Sequence, residues 1–164
     1  MANEAKHEMV KKSAFSVLSL ETQVHGDDNE MPVQKRAFWQ SVNNDGSFDA
    51  LDKSAVNSYI FGTNEFVNDS ANYDIGRQVD ADTKAEQNGQ RIINFPAGDY
   101  LVVHDTIDTN MMDLFMKLET DTFYGLMQSI DGYKFVGGPN AAVLTGKDGQ
   151  TLTGEMWVPM IAQK

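Results

Sequence analysis

Cysteine is absent from this chain of 164 residues, and long apolar runs are missing as well. Without cysteine there are no disulfides and no thiolate metal sites, which fits a reducing compartment. No segment approaches the roughly 20 consecutive apolar residues of a membrane-spanning helix. The polar N-terminal residues also lack the apolar region of a signal peptide. We therefore expect a cytoplasmic protein that does not associate with membranes.

Positive charge is scarce. Thirteen Lys and Arg residues stand against 24 Asp and Glu residues, which gives a formal net charge of -11. This charge disfavours direct nucleic-acid binding, because affinity for nucleic acid depends on neutralising phosphates. It attracts cations and basic partners weakly and at long range. The hydrophobic share of 41% is that of an ordinary globular protein, and the length suits one domain with a real core.

Motifs of common catalytic and cofactor sites are missing too. The chain contains no GxSxG elbow, HExxH helix, Walker loop or GxGxxG turn. Its three histidines, His7, His25 and His104, are too scattered to form a recognisable metal motif. Residues 41–52 are a weak likeness of a calcium loop, and a helix stop followed by a turn explains the same residues. We expect no cofactor and no metal.

Strand-like and helix-like segments alternate along the first half of the chain. The predicted elements are a flexible lead-in at 1–11, a strand at 13–21, a helix from about 31 to 42, a helical turn within 48–56, and strands at 58–63 and 73–80 joined by a turn at 68–71. Asn29 or Glu30 is the expected cap of the helix. Pro32 falls in its first turn, where a missing N–H costs little.

The second half repeats this order. The predicted elements are strands at 91–95 and 100–104 broken at 96–98, a helix capped by Asp108 with Met111, Leu114, Phe115, Leu118 and Leu126 on its apolar face, a loop at 133–139, and strands at 141–145 and 151–161. A β-α-β-β order that occurs twice predicts an α+β fold of two pseudo-symmetric repeats. Antiparallel sheets and two main helices would surround a central ligand groove. We expect residues 12–164 to form a single domain.

The most informative stretch is the last strand, in which one charge lies among large apolar residues. Strand side chains alternate, so Glu155 and Trp157 point one way while Met156 and Val158 point the other. If the methionine-valine face packs in a core, the opposite face places a carboxylate beside an indole. That combination suits an organic cation. The alternative is an edge strand whose Glu155 simply faces solvent.

Aromatic side chains recur on segments that should meet in the middle of the fold. For each one singly, core packing is the commoner role, although tyrosine and tryptophan carry a polar group that suits a pocket. Together with the carboxylate they predict a cage for a flat or cationic hydrophobic molecule. The candidate ligand-binding residues are Glu155, Trp157, Trp39, Tyr59, Phe61, Tyr73 and Tyr100, and no catalytic residue is assigned.

Five short motifs, taken in order, give the chain a family resemblance. They are Phe38-Trp39, Tyr59-Ile60-Phe61-Gly62, Tyr73-Asp74-Ile75-Gly76, Pro96-Ala97-Gly98-Asp99-Tyr100 and Glu155-Met156-Trp157-Val158-Pro159. Over about residues 12–161 the chain resembles the GyrI-like small-molecule-binding family, also described as the bacterial transcription-activator effector-binding domain. It looks like the stand-alone, integron-cassette type, since the length leaves no room for the DNA-binding segment of some relatives.

The resemblance implies a tandem β-α-β-β fold with a central groove that binds hydrophobic, often cationic, compounds. By position, Glu155 matches the acid of the family's last strand and Trp157 matches its aromatic neighbour. Many members carry a second acid-aromatic pair on the preceding strand, where this chain has Ala142 and Leu144. That departure puts strict cation preference and hydrolysis in doubt, and it is compatible with a more apolar ligand.

The expected function is therefore a stand-alone binding module for hydrophobic, cationic small molecules, and not an enzyme. Two alternatives stay open. One is a hydrolase of small electrophilic compounds, as reported for some relatives, with Glu155 as base or nucleophile. The other is an acidic protein-interaction role, like that of gyrase-directed relatives. A homodimer or a further protein partner is also left open.

Overall fold

The computed structural model describes residues 6–27, 29–67, 70–87, 89–135 and 139–162. Contacts divide the chain into two compact units: the first is Ala14–Phe95, and the second joins Met1–Ser13 to Pro96–Lys164. The main elements of the described ranges are β1 (Lys6–Lys12), β2 (Phe15–His25), α1 (Glu30–Asn44), β3 (Ile60–Val67), β4 (Ser70–Val79), β5 (Gln90–Phe95), β6 (Gly98–Ile107), α2 (Met111–Phe123), β7 (Tyr133–Phe135), β8 (Asn140–Asp148) and β9 (Thr151–Ala162).

The first unit is a four-stranded antiparallel sheet in the order β5-β2-β4-β3, and α1 packs on β2. Every residue of 16–20 on β2 and 73–76 on β4 is buried. Burial on both faces explains why the neighbouring residues Val17 and Leu18 are both apolar, where a strand buried on one face would alternate. Trp39 and Val42 are the buried residues of α1. A short 3₁₀ helix, Asp49–Ser54, occupies the predicted helical turn.

The second unit has the strand order β1-β6-β9-β8, again antiparallel, and β7 pairs with the last residues of β9. Helix α2 packs across β6, β8 and β9. Its buried residues include Leu114, Phe115 and Leu118, which lie three and four positions apart and so form one face. Among the described residues, no helix is long and apolar enough to cross a membrane.

The predicted α+β class and the tandem repeat are confirmed. The first unit contains β2-α1-β3-β4 and the second contains β6-α2-β8-β9, with equivalent strands in equivalent places of each sheet order. Each sheet has a fourth strand in addition, β5 in the first unit and β1 in the second. The expectation of a single domain over residues 12–164 stays a prediction.

The two additional strands correct the sequence-based assignment. Residues 6–11, expected to be a flexible lead-in, form most of β1, which pairs with β6 along its whole length. The composition of β1 does not indicate a strand, because most residues of KHEMVKK are charged. Backbone hydrogen bonds hold this strand more than apolar burial does. The strand at 91–95, expected to open the second repeat, pairs with β2 of the first unit.

Helix α1 begins where the sequence predicts. Asn29 is its N-cap residue, and Asp27 Oδ1 accepts hydrogen bonds from the backbone N–H groups of Asn29 (2.9 Å) and Glu30 (3.0 Å). A carboxylate at this position satisfies N–H groups that have no partner within the helix. The helix ends at Asn44, and Gly46 follows with φ +79°, the left-handed conformation that glycine adopts without strain.

The start and end of α2 differ from the prediction. Its N-cap is Asn110 and not Asp108: the Asn110 side chain accepts a hydrogen bond of 2.9 Å from the backbone N–H of Asp113. An asparagine one residue before the helix reaches that N–H, whereas Asp108 lies two residues further back. Leu126, expected on the apolar face of α2, lies beyond the helix in a short 3₁₀ turn, where it is still buried.

Two predicted loops are described only in part. The loop expected at 133–139 begins with the short strand β7, so that prediction is wrong for its first three residues. Gly137 and Gly138 lie outside the described residues, as do Asn68 and Asp69 of the predicted hairpin turn.

Gly154 lets α2 approach β9 closely. A Cβ at this position would lie 2.8 Å from Leu114 Cδ2, 2.8 Å from the carbonyl oxygen of Val143 and 3.2 Å from Leu118 Cδ1. Real side chains do not tolerate such distances, and the carbonyl oxygen belongs to backbone that cannot turn aside. The absence of a side chain at Gly154 therefore sets how closely the helix packs on the sheet.

We predict that Gly154→Ala lowers the free energy of unfolding by about 1–3 kcal/mol, the usual cost of inserting a methyl group into a packed core. Chemical denaturation measures the change. Gly146→Ala, on the neighbouring strand β8, is the matched control because a Cβ there meets nothing within 4 Å. Equal effects of the two substitutions would show that the helix can shift to make room.

Candidate functional site

Strand β9 presents Glu155 and Trp157 on the sheet face opposite α2. The preceding residue, Gly154, contacts α2, and side chains alternate between the two faces along a strand. Met156 and Val158, which share the face of Gly154, are fully buried, so the condition that the methionine-valine face packs in a core is met. Glu155 retains a side-chain exposure of 25%. It is thus neither sealed in the core nor fully turned to solvent.

The indole of Trp157 holds the carboxylate of Glu155 in place. Trp157 Nε1 donates a hydrogen bond of 2.8 Å to Glu155 Oε1. The other oxygen, Oε2, lies 3.6 Å from His104 Nδ1 on the paired strand β6. His104 Nε2 is 3.2 Å from Glu8 Oε1 on β1. Glu8, His104 and Glu155 therefore form a polar row across three adjacent strands.

Lys12, at the end of β1, places its ammonium over the ring of Trp157. Its Nζ lies 3.7 Å from the centroid of the Trp157 ring, which is a cation–π contact. Burial lowers the pKa of Lys12 from its ordinary value, and the nearby carboxylates of Glu155 and Glu8 partly offset that change. The indole of Trp157 therefore contacts the Lys12 ammonium with its ring and orients the Glu155 carboxylate with its N–H.

Tyr100 lies on the same sheet face as Glu155, and its side chain is part of the packed core. The residue is fully buried, and its hydroxyl donates a hydrogen bond of 2.7 Å to the carbonyl oxygen of Pro96. Burial raises the pKa of Tyr100 to about 12. The contact closes the predicted break at 96–98, where the chain turns from β5 into β6. The hydroxyl of Tyr100 thus already has a hydrogen-bond partner within the chain.

The other four aromatic candidates lie in the first unit, and they do not share one surface. Trp39 Nε1 donates a hydrogen bond of 2.9 Å to the hydroxyl of Tyr73, so this pair joins α1 to β4. Phe61 on β3 pairs with Gly76, whereas Tyr73 pairs with Asn64, three residues further along β3. An odd separation places the Phe61 and Tyr73 side chains on opposite faces.

The neighbours of Tyr73, Phe61 and Tyr59 are as follows. Lys35 Nζ lies 4.9 Å from the Tyr73 ring centroid and donates a hydrogen bond of 2.7 Å to Asn64 Oδ1. Phe61 is fully buried, with its ring centroid 6.3 Å from that of Phe15. Tyr59 precedes β3 and is half-buried. The assignment of these residues to a ligand stays a prediction.

The register of β8 places Ala142 and Leu144 on the face away from Glu155. Ala142 pairs with Met156 and Leu144 pairs with Gly154, so both lie on the α2 face of the sheet. The residues of β8 beside the site are instead Ala141, opposite Trp157, and Val143, opposite Glu155. Both are fully buried and apolar. The strand next to Glu155 therefore contributes no second carboxylate.

A second polar cluster, which the sequence did not indicate, lies in the first unit. Asp74 is 1% exposed and accepts hydrogen bonds from Arg91 Nε (2.8 Å), Arg91 Nη2 (3.0 Å) and Ser19 Oγ (2.9 Å). Arg91 Nε also lies 2.7 Å from Glu21 Oε2. The hydrogen bond to Asp74 raises the pKa of Arg91. These groups satisfy one another, which indicates a structural ion pair.

Comparison with known proteins identifies the family. The family model of integron-associated effector-binding proteins matches residues 8–160. The chain belongs to this family. The resemblance inferred from the five motifs is thereby confirmed. No curated protein matches the chain with significant similarity.

Solved structures share the fold of this effector-binding protein at low sequence identity. SAV2435 bound to tetraphenylphosphonium has a TM-score of 0.77 at 12% identity, over 95% of this chain and 94% of that one. The Vibrio cholerae integron cassette protein VCH_CASS2 gives 0.66 at 10% identity, over 94% and 95%. The EcmrR C-terminal domain gives 0.64 at 12% identity, over 97% and 99%.

The sequence did not predict that Glu8, Lys12 and His104 lie beside Glu155 and Trp157. Lys12 and Glu8 fall in or next to a segment that was predicted to be flexible, and His104 was treated as an isolated strand residue. Alternation along β6 does place His104 on the same face as Tyr100, so its face was predictable from the sequence. The cross-strand partner of His104 depends on register, which local sequence does not specify. In the described part of the chain, no cluster of three potential metal ligands occurs.

We predict that Arg91→Met lowers the free energy of unfolding by about 3 kcal/mol, because it leaves the buried Asp74 carboxylate with Ser19 as its side-chain donor. That value is the low end for buried pairs, since the Arg91 side chain is 38% exposed. Urea denaturation measures the loss. Arg36→Met, on the exposed side of α1, removes the same charge as a control. A difference below about 0.5 kcal/mol between the two variants would contradict the prediction.

Proposed function

We propose that this effector-binding protein binds hydrophobic cationic small molecules at the sheet face that carries Glu155 and Trp157. One observation carries the proposal. The indole ring of Trp157 meets an ammonium at 3.7 Å, while its N–H fixes the Glu155 carboxylate at 2.8 Å. A ring face and a carboxylate both attract an organic cation, and here the hydrogen bond from the indole fixes the position of the carboxylate relative to the ring.

The environment of the pair favours a large apolar cation over a hydrated metal ion. Ala141 and Val102 flank Trp157, while Glu155 lies between Val143 and His104. The three aliphatic neighbours are buried. A carboxylate held in such surroundings has lost part of its hydration and gains from a partner that is itself weakly hydrated. Because Trp157 already orients the Glu155 side chain, binding a ligand loses less side-chain entropy.

The relatives support this class of ligand. The structure of SAV2435 contains tetraphenylphosphonium, a cation whose charge is surrounded by four aromatic rings. The family itself is described by effector binding. We therefore propose binding, and not turnover, as the activity of this chain.

Glu155→Gln tests the charge without removing the hydrogen-bond acceptor for Trp157. We predict that it weakens tetraphenylphosphonium binding by about 10- to 100-fold, which corresponds to about 1.4–2.8 kcal/mol and lies between exposed and buried ion pairs. Tetraphenylborate, which has a similar shape and the opposite charge, should not lose affinity. Isothermal titration calorimetry measures both ligands.

Glu8→Gln is the matched control, because it removes the same charge from the far end of the polar row, where the side chain is 60% exposed. Its effect on the cation should stay within about threefold, as expected for a screened surface charge. Equal losses in the Glu155 and Glu8 variants, or equal losses for both ligands in Glu155→Gln, would remove Glu155 from the proposed role.

A further inference from the structure

We propose that Lys12 is the built-in counter-ion of this site, and that a cationic ligand binds only by displacing its ammonium from the Trp157 ring. The inference rests on the proposed function and adds a residue that decides which cations can bind. It assigns to β1 a part in selection, in addition to its place in the sheet.

The position of the ammonium is the first support. Lys12 is on β1 and Trp157 is on β9, with β6 between them in the sheet order. To lie 3.7 Å from the ring centroid, the lysine side chain must therefore extend across β6. A long aliphatic side chain can cover an apolar surface in this way while its charged end finds a partner.

The second support is that Lys12 uses the Trp157 ring and the Glu155 carboxylate, the two groups that the ligand would need. Glu155 favours the charged form of Lys12 more strongly than Glu8 does, and both oppose the larger effect of burial. Two cations cannot share one ring face and one carboxylate without repelling each other. A ligand cation at Trp157 and the Lys12 ammonium are therefore mutually exclusive.

The third support is that the ammonium is held loosely enough to leave. The ammonium contacts the ring of Trp157, and among the described residues no carboxylate oxygen lies within ion-pairing distance of it. Lys12 is the last residue of β1, and Ser13 after it is exposed. The side chain can swing away by rotamer changes while the strand stays paired.

Exchange of one cation for another has a consequence for selectivity. A small quaternary ammonium such as tetramethylammonium replaces the lysine contact by an equivalent one and gains little. Tetraphenylphosphonium adds apolar surface, which the lysine ammonium does not have. The site should therefore reject small cations and accept those that carry aromatic rings.

The test compares tetraphenylphosphonium affinity of the wild-type chain with Lys12→Met, Lys12→Gln, Lys12→Arg and Lys11→Met. Loss of the competing cation in Lys12→Met and Lys12→Gln should tighten binding by about 5- to 30-fold, the equivalent of a cation–π contact in a partly desolvated place. Lys12→Arg keeps the competitor and should give no gain. Lys11→Met removes a charge from the same strand, at an exposed side chain that points to the opposite face, and should stay within about twofold.

Three outcomes would overturn the inference alone. The first is an equal gain in Lys12→Met and Lys11→Met, which would make the effect one of net charge, and the second is unchanged or weaker binding in both neutral Lys12 variants. A gain for tetraphenylborate equal to that for tetraphenylphosphonium would also overturn it, because it would reflect apolar contact in place of displaced charge. Absence of tetraphenylphosphonium binding in all five proteins would contradict the proposed function, and the inference with it.

Discussion

The packing of α2 on one face of β9 is the constraint on which the site depends. Gly154 has no side chain, so Leu114 and Leu118 come close to the strand, and Met156 follows into the same buried face. Because side chains alternate, the next residues along the strand must project from the opposite face. Glu155 is therefore kept out of the interface between α2 and the sheet, and antiparallel pairing brings His104 beside it.

Each unit carries a lysine over an aromatic ring, but the two places differ in charge. In the first unit Lys35 lies over Tyr73 and donates to the neutral side-chain oxygen of Asn64. In the second unit Lys12 lies over Trp157, and the neighbouring acceptor is a carboxylate. The buried carboxylate of the first unit, Asp74, is neutralised by a two-point contact with Arg91. The carboxylate of Glu155 has no comparable permanent partner among the described residues.

The sequence predicted what alternation and capping determine, and it missed what register determines. The faces of β9 and the start of α1 follow from residues close together in the chain, and both were predicted correctly. The pairing of β5 with β2, and the placement of Ala142 under α2, follow from a register that no local pattern encodes. Strand β1 escaped because an edge strand rich in lysine has the composition of a flexible segment.

The acidic surface and Lys12 act on a cation at different ranges. A net charge of -11 attracts any cation, but that field is screened over about 8–10 Å and does not distinguish one cation from another. Displacing Lys12 costs about 1–2 kcal/mol, which the burial of about 40–80 Å² of apolar surface offsets. One aromatic ring system of amino-acid size buries about 150–250 Å², so a ring-bearing cation exceeds this threshold easily. A simple ammonium does not, and discrimination therefore arises at the ring of Trp157.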